Sequence, residues 1–290
     1  MNPMRISQLA PARTAAAALA WRSLDALRGE PWPYCAVAFH RVWDGSRDEL
    51  SYHPGAFDQL CRYWRDHFEV ITLDRLLLRL ARGYARREPA LAITFDDGYA
   101  DNAEIAAPIL DRLGLNATFF VSTGAIGARN PFAWDRALPT PPPLMTWPQV
   151  RELHRAGFAI GSHTVSHPRL SQTRGAALEA ELVDSRSRLE SEVGEPVRDF
   201  AFPFGQPGDC DETAREAVRR AGYRCCLACA GGLIQPGESP FRLRRICVSP
   251  RYHPTPTGFR EHSEGQASGF LCCPGYGREL PPLARGPHRS

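Results

Sequence analysis

Short hydrophobic runs alternate along the chain with longer segments of helical period, and this alternation is the strongest constraint on the fold. Glycines such as Gly114, Gly157 and Gly222 follow several helical segments at the point where a helix would end. The pattern indicates seven or eight βα units, hence an α/β, TIM-like (β/α) barrel forming a single domain, with an open doubly wound sheet as the alternative. The predicted strands lie near Tyr34–Phe39, Glu69–Thr72, Leu91–Phe95, Asn116–Val121, Phe158–Gly161, Asp199–Phe202, Tyr223–Ala228 and Leu243–Val248.

The length of 290 residues suits one catalytic domain with short extensions. We expect the domain to span residues 34–249, after a helical or flexible segment over residues 1–33. Residues 250–290 are rich in Pro, Gly, Arg and Ser and have no sustained apolar period, so they predict a disordered tail. The formal charge of +3 is small and the arginines are scattered, which gives little support for nucleic-acid binding. No apolar run approaches the roughly 18 residues of a membrane span.

The nine cysteines form an odd set without the regular spacing of a secreted disulfide scaffold, and we therefore expect a cytoplasmic setting. Export stays open, because the alanine-rich "RTAAAALAW" near the N-terminus has some likeness to a short signal sequence, although an N-terminal helix is the favoured interpretation. Cys226 and Cys229 have C-x-x-C spacing, but no second pair completes a zinc site. Packing within a strand is the simpler interpretation.

Two motifs follow predicted strands and carry metal-binding residue types. The segment "AITFDDGYADN" places Asp96 and Asp97 side by side, where like charges repel unless a cation relieves them. The segment "IGSHTVSHPRL" places His163 and His167 four residues apart, as two imidazole ligands require. A divalent ion held by one aspartate and both histidines would leave the other aspartate as a base. Either motif alone is also typical of an ordinary turn or of surface and packing histidines, but parallel strand ends meet at one rim of a barrel.

Two further strand ends offer candidate catalytic groups. His40 directly follows the first predicted strand and is either a general acid or a solvent-facing loop histidine. Phe204 lies in the turn "FAFPFG" after the sixth predicted strand, where a backbone N–H would face a developing oxyanion. An ordinary turn at a strand end explains the second motif equally well.

Together these motifs resemble the polysaccharide deacetylases, carbohydrate esterase family 4. "TFDDGY" is similar to the first family motif, "SHTVSHP" to the second and "FAFPFG" to a variant of the third, and the resemblance covers about Tyr34–Val248. It implies a deformed (β/α) barrel that removes N-acetyl groups from amino sugars of a poly- or oligosaccharide. By the same resemblance, Asp96 would be the catalytic base and Phe204 would supply the oxyanion N–H. Zinc or a similar divalent ion would be held by Asp97, His163 and His167.

The chain also departs from the family pattern. Ala201 stands where many members have an arginine that steadies the base, which leaves that role unassigned. No late L-x-H sequence supplies the usual general-acid histidine, since only His253 follows the last predicted strand closely. The element "FHRV" resembles the early Y-H-x-V element of biofilm exopolysaccharide deacetylases instead, and this favours His40 as the general acid.

Aromatic residues suggest where a sugar would bind. Tyr99, Trp134 and Trp147 are candidates for stacking against sugar rings or for ordinary packing, and the last two belong to a Pro-rich insertion over 127–147 that is placed to border a site. Two other functions stay open: a phosphoesterase using the same ligand set, and a non-catalytic carbohydrate-binding protein. The sequence specifies neither the glycan, nor the native metal, nor the oligomeric state.

Overall fold

The computed structural model describes residues 34–45, 48–83, 90–129 and 132–250, so the predicted N-terminal segment over 1–33 and all of the predicted tail over 250–290 except Pro250 lie outside the described residues. The longer helices are α1 (Pro54–His67), α2 (Leu73–Ala81), α3 (Ala107–Arg112), α4 (Trp147–Arg155), α5 (Gly175–Val193) and α6 (Glu212–Arg220). The strands are β1 (Tyr34–Phe39), β2 (Arg41–Val42), β3 (Ser51–Tyr52), β4 (Glu69–Val70), β5 (Ala90–Phe95), β6 (Thr118–Val121), β7 (Ala159–Ser162), β8 (Asp199–Ala201), β9 (Cys225–Ala228), β10 (Leu243–Arg244) and β11 (Ile246–Cys247).

The main sheet is parallel throughout and curls into a barrel. Its strand order is β10-β9-β8-β7-β6-β5-β1-β11, with β4 paired to the first half of β5. Only Arg245 separates β10, which pairs with β9, from β11, which pairs with β1. This last segment therefore joins the two ends of the sheet, giving a nearly closed barrel of eight strands when β10 and β11 are counted as one. The predicted barrel is confirmed, and the open doubly wound sheet is wrong.

The two faces of the central strands are both buried, which explains why β1 and β5 are continuous hydrophobic runs rather than alternating ones. In β1, Val37 and Phe39 belong to the cluster that includes Phe57 and Trp64 of α1. The alternate residue Ala36 belongs to a second cluster, inside the barrel, with residues of β6, β8 and β9. This inner cluster combines small side chains, such as Ala36 and Ala201, with large ones, such as Phe120 and Leu227.

Local signals end the helices where the sequence predicts. Gly114, Gly157 and Gly222 follow α3, α4 and α6, with φ values of 67°, 90° and 85°, the left-handed conformation that glycine adopts without steric cost. A π-helical turn over Asn102–Ala106 leads from the end of β5 into α3. Such turns are frequent near functional sites, and this one carries Asn102 towards the strand ends.

Cysteines in the described residues are buried, and none of them forms a disulfide bond. Cys226 packs in a cluster with Phe200 and Phe202, whereas Cys229 packs with Ala38 and Cys247. The two residues of the C-x-x-C motif thus serve different parts of the core, in agreement with packing within a strand. Among the described helices, none is both long and apolar enough to cross a membrane.

Candidate active site

The carboxyl ends of four parallel strands bring the predicted site residues to one end of the barrel. Asp96 and Asp97 follow β5, and His163 follows β7. His40 follows β1, and Phe204 lies three residues beyond β8. Both aspartates and His163 are almost completely buried. The barrel therefore gathers, in one place, residues up to 164 positions apart in the sequence.

Backbone strain is concentrated at this end of the barrel. Four non-glycine residues in the described chain have positive φ: Asp97 at 75°, Thr164 at 69°, His167 at 59° and Phe204 at 60°. All four lie in the three motifs predicted from the sequence. Conformations of this kind cost roughly 1–3 kcal/mol each and persist only where the surroundings enforce them, as they often do at functional sites.

A three-residue turn explains how two consecutive aspartates reach different partners. The Gly98 amide donates to the Asp96 carbonyl at 2.9 Å, which centres the turn on Asp97. Gly98 also has positive φ, at 92°, a conformation that glycine adopts without steric cost. Strand alternation would send Asp97 to the opposite face from Asp96, and the turn instead directs it towards His163 and His167 at the same end of the barrel.

Asp97, His163 and His167 converge on a common point. Asp97 Oδ1 lies 3.4 Å from His163 Nε2 and 3.2 Å from His167 Nε2. His163 Nδ1 lies 2.8 Å from the Ala201 carbonyl oxygen, which can only accept, so Nδ1 carries the proton and Nε2 of the neutral ring presents a lone pair. Within the described residues, neither carboxylate oxygen of Asp97 accepts an aligned hydrogen bond. Without a cation, burial raises the pKa of Asp97, but hydrogen bonds and charge from His163 and His167 in their protonated forms lower it by more, and the net shift is strongly downward.

This arrangement fits a divalent cation. Three potential ligand atoms of Asp97, His163 and His167 lie within 4.8 Å of one another and are buried. A buried carboxylate facing imidazole lone pairs is unfavourable unless a proton or a cation lies between them. Histidine and carboxylate ligands suit zinc and neighbouring transition metals, and the Ala201 carbonyl fixes the His163 ring as second partners of metal-ligating histidines commonly do.

Asp96 is held by an arginine that the sequence prediction missed. Arg245 Nη1 and Nη2 donate to the two carboxylate oxygens of Asp96 at 2.7 and 2.8 Å. Arg245 is completely buried, and it also donates to Thr94 Oγ1 at 2.9 Å. Burial raises the pKa of Asp96, yet the charge and hydrogen bonds of Arg245, together with the charges of His163 and His40, outweigh it and keep the pKa below its ordinary value. Arg245 thus occupies the role left unassigned by Ala201, from a different strand.

His40 lies beside Asp96, as the β1–β5 register requires. Phe39 pairs with Phe95, and the Asp96 amide donates to the Phe39 carbonyl at 2.9 Å. The His40 carbonyl accepts from Asn102 Nδ2 at 2.9 Å, which fixes the backbone after β1. Burial lowers the pKa of the His40 imidazole more than the charges of the two aspartates raise it. The structure brings His40 into the site, and its role as general acid stays a prediction.

Phe204 centres the second strained turn. The Gly205 amide donates to the Pro203 carbonyl at 2.6 Å, and the Phe204 ring packs edge-on to His167 with 4.8 Å between ring centroids. Among the described residues, the Phe204 N–H donates no hydrogen bond, so it is available to a ligand. The predicted oxyanion donor therefore adjoins the candidate metal ligands.

The aromatic candidates have three different environments. Tyr99 is fully buried, donates to Asp135 Oδ2 at 2.8 Å and accepts from Trp134 Nε1 at 3.0 Å, so the prediction that it stacks on a sugar is wrong. Trp134 is half-buried, with its ring 5.1 Å from that of His167, and it stays a candidate. Trp147 packs under the guanidinium of Arg188, 4.7 Å from it, on the helical layer, which favours its packing interpretation.

The insertion over 127–147 does border the site, because Phe132 and Trp134 contact His167. A buried ion pair anchors it: Arg41 Nη1 donates to Asp135 Oδ1 at 2.7 Å. Arg41 directly follows His40, so this pair ties the insertion to the strand end that carries the candidate acid. The sequence predicted the position of the loop but not its anchor.

Comparisons with known proteins agree with the site. A sequence model described as "Polysaccharide deacetylase" matches residues 83–226. YxkH of Bacillus subtilis, which bears a polysaccharide deacetylase name, is 26% identical over 215 residues, covering 74% of this chain and 71% of that protein. A poly-beta-1,6-N-acetyl-D-glucosamine N-deacetylase of Staphylococcus aureus strain MSSA476 is 21% identical, covering 69% of this chain and 68% of that protein. The structure of IcaB from Ammonifex degensii has a TM-score of 0.68 at 22% identity, covering 81% of this chain and 99% of that one, a likeness of fold.

Proposed function

Because the chain belongs to the polysaccharide deacetylase family, carbohydrate esterase family 4, we propose that it is a metal-dependent hydrolase that removes N-acetyl groups from N-acetylhexosamine residues of a poly- or oligosaccharide. The observation that carries the proposal is the division of the adjacent carboxylates. Asp97 faces His163 and His167, while Asp96 faces Arg245. This arrangement provides a ligand set and a separate base within one buried site.

The proposed metal ligands are Asp97, His163 and His167. Zinc is our first candidate, because two imidazoles and one carboxylate form a common set for catalytic zinc and leave a coordination position open. A divalent ion at this point would supply Lewis-acid polarisation of an acetamide and of water. The proposed ligands are already held in place in the protein. Asp97 and His167 adopt positive φ values, and the Ala201 carbonyl fixes the His163 ring.

Asp96 is the proposed catalytic base. Its two hydrogen bonds to Arg245 keep the carboxylate ionised although it is buried. Each carboxylate oxygen retains a second lone pair, so Asp96 can still accept a proton from the attacking water. The arginine also fixes the carboxylate orientation, which a proton transfer requires.

His40 and the Phe204 amide are assigned the remaining steps. The Phe204 N–H would donate to the oxygen that becomes negative when water attacks the acetamide carbonyl. An amine leaves poorly unless it is protonated, and His40, beside Asp96, would deliver that proton. Its lowered pKa makes the protonated ring a stronger acid, and the proton that Asp96 takes from the attacking water would pass to His40 and from there to the leaving amine.

A glucosamine exopolysaccharide is the substrate we would test first. The support is the poly-beta-1,6-N-acetyl-D-glucosamine N-deacetylase activity for which the Staphylococcus aureus relative is named, and the "FHRV" element at His40. Trp134, half-buried at the rim beside His167, is placed to stack on a sugar ring. The site itself requires only an acetamide that can reach the metal ligands.

The test is acetate release from defined β-1,6- and β-1,4-linked N-acetylglucosamine oligomers, before and after chelation. We expect release from at least one series, loss of activity with chelator and recovery on adding zinc. Phosphate esters in parallel would reveal a phosphoesterase. Full activity after complete metal removal would contradict the mechanism, and a metal-loaded protein inactive on every acetylated glycan would favour a non-catalytic binding protein.

A further inference from the structure

The side chain of Arg169 covers the Phe204 ring. Its Cζ lies 4.0 Å from the ring centroid, within the range of a cation–π contact. The ring also packs edge-on against His167 and Trp134, with centroids at 4.8 and 6.1 Å. Arg169 is about one-quarter exposed, with 27% of its side chain accessible. The guanidinium thus stacks on a ring whose backbone carries the proposed oxyanion donor.

Asp209 holds Arg169 in this position. Arg169 Nη1 donates to Asp209 Oδ1 at 2.6 Å, and the Asp209 side chain is 95% buried, being 5% accessible. The other oxygen, Oδ2, accepts from the Gln206 amide at 3.3 Å, and the Asp209 amide donates to the Gln206 carbonyl at 2.8 Å. One carboxylate therefore connects the guanidinium to the backbone that immediately follows the Phe204–Gly205 turn.

The turn needs such external support because its own conformation is unfavourable. Phe204 and Gly205 have φ values of 60° and 68° in succession. A Cβ on Gly205 would lie 2.5 Å from the Cys229 amide nitrogen, so the turn is also pressed against the end of β9. A non-glycine residue in this region relaxes to negative φ when its surroundings allow. Such relaxation would rotate the Phe204 N–H away from its present direction.

We propose that Arg169, held by Asp209, is a positioning residue that fixes the Phe204 N–H where the oxyanion of the deacetylation reaction forms. The proposal rests on the proposed function. The guanidinium stacks on the ring at one end of the turn while its ion pair secures the other end. Arg169 acts through Phe204 and has no chemical step of its own.

The experiment compares Arg169→Ala with the wild type by steady-state acetate release. We expect kcat to fall about 10- to 100-fold, less than the roughly 100- to 1,000-fold loss on removing an oxyanion donor outright. KM should change less than twofold, and bound metal should stay stoichiometric. Millimolar guanidinium should restore part of the lost kcat, by refilling the space between Phe204 and Asp209. Arg169→Lys should retain the fold, lose part of kcat and gain nothing from guanidinium.

Arg174→Ala is the matched control, because Arg174 lies on the same loop and its Nη1 donates to the backbone carbonyls of Leu170 and Thr173. It should keep the wild-type kcat, with or without guanidinium. Unchanged kcat in Arg169→Ala, or a loss that accompanies lost metal and lower stability without guanidinium rescue, would overturn the positioning role alone. A metal-loaded wild type that releases no acetate would overturn the proposed function and this inference together.

Discussion

Replacing Arg245 tests the proposed base most directly, because this residue is the buried positive partner of Asp96. Arg245→Met removes two charge-assisted hydrogen bonds of 2.7 and 2.8 Å and leaves a carboxylate that is 2% exposed. Breaking a buried ion pair by deleting one partner costs about 3–5 kcal/mol. Arg245→Lys keeps the charge but loses the two-pronged geometry, and one lost hydrogen bond to a charged group is worth about 1.5–3 kcal/mol. We expect both stability and activity to decrease from the wild type to Arg245→Lys and further to Arg245→Met.

The activity loss follows from the same interaction. Without Arg245, burial raises the pKa of Asp96 unopposed by its largest lowering influence, so a smaller fraction of the base is ionised. The carboxylate also loses its fixed orientation. We expect kcat/KM of the Met variant to fall by about 100-fold or more, equivalent to at least about 2.7 kcal/mol. The assay is acetate release on the metal-loaded protein at neutral pH.

The pH dependence of folding stability supplies a second readout. It is measured by urea unfolding of the chelated protein. The folded-state pKa of Asp96 lies below its ordinary value of 3.8 in the wild type, so the stabilisation by Arg245 is complete above that value. It is lost as the pH falls through the folded pKa. The stability difference between wild type and Arg245→Met should therefore be largest at neutral pH and shrink in acid.

Arg244→Met is the control for Arg245→Met. Arg244 is the preceding residue, its side chain is 41% exposed, and it pairs with Glu238 at the surface. Such a pair contributes about 0–1 kcal/mol, so stability and kcat/KM should stay near the wild-type values. If Arg245→Met matched this control in both measurements, Asp96 would need no buried cation and the assignment of Arg245 would be wrong.

Three further predictions concern the other groups of the site. Asp96→Asn should keep stoichiometric metal by elemental analysis but lose acetate release, whereas His163→Ala should lose both; metal retention in the second variant would contradict the ligand assignment. Trp134→Ala should raise KM for oligosaccharides about tenfold with little loss of stability, whereas Trp147→Ala should lower the unfolding free energy without changing KM; the reverse result would exchange their roles. Tyr99→Phe should cost about 1–3 kcal/mol in urea unfolding, because its phenol bridges a buried aspartate and an indole, and an unchanged midpoint would contradict that bridge.

The barrel and the site motifs could be predicted because their signals are local. Hydrophobic runs mark the strands, and the end of each run marks the rim where Asp97, His163 and His167 meet. Tyr99 could not be assigned in this way. Its burial depends on Asp135 and Trp134 of the insertion, which fold back over the "TFDDGY" turn, and a sequence pattern carries no information on that long-range contact.

Arg245 shows the same limit at the catalytic base. The segment "FRLRRICV" contains three arginines, and the choice among them depends on which one points into the barrel. Leu243 and Arg245 alternate with Arg244, so period 2 places the first two on the same face. Only the closure between β9 and β1 turns that face towards Asp96. The sequence separation of the pair, 149 residues, removes any local signal.

The strained turn at Asp97 lets two adjacent buried carboxylates reach one end of the barrel without sharing a partner. Strand alternation would send consecutive side chains to opposite faces, so Asp97 in an extended conformation would point away from the face on which Asp96 meets Arg245. The positive φ at Asp97, 75°, costs roughly 1–3 kcal/mol and turns its side chain towards His163 and His167 instead. Two like charges about 4 Å apart repel by about 4 kcal/mol at an effective dielectric constant of 20, so separate partners favour the pair. Asp96 meets Arg245 and Asp97 faces two imidazoles with no aligned donor, which produces the two chemically distinct carboxylates that the proposed hydrolysis requires.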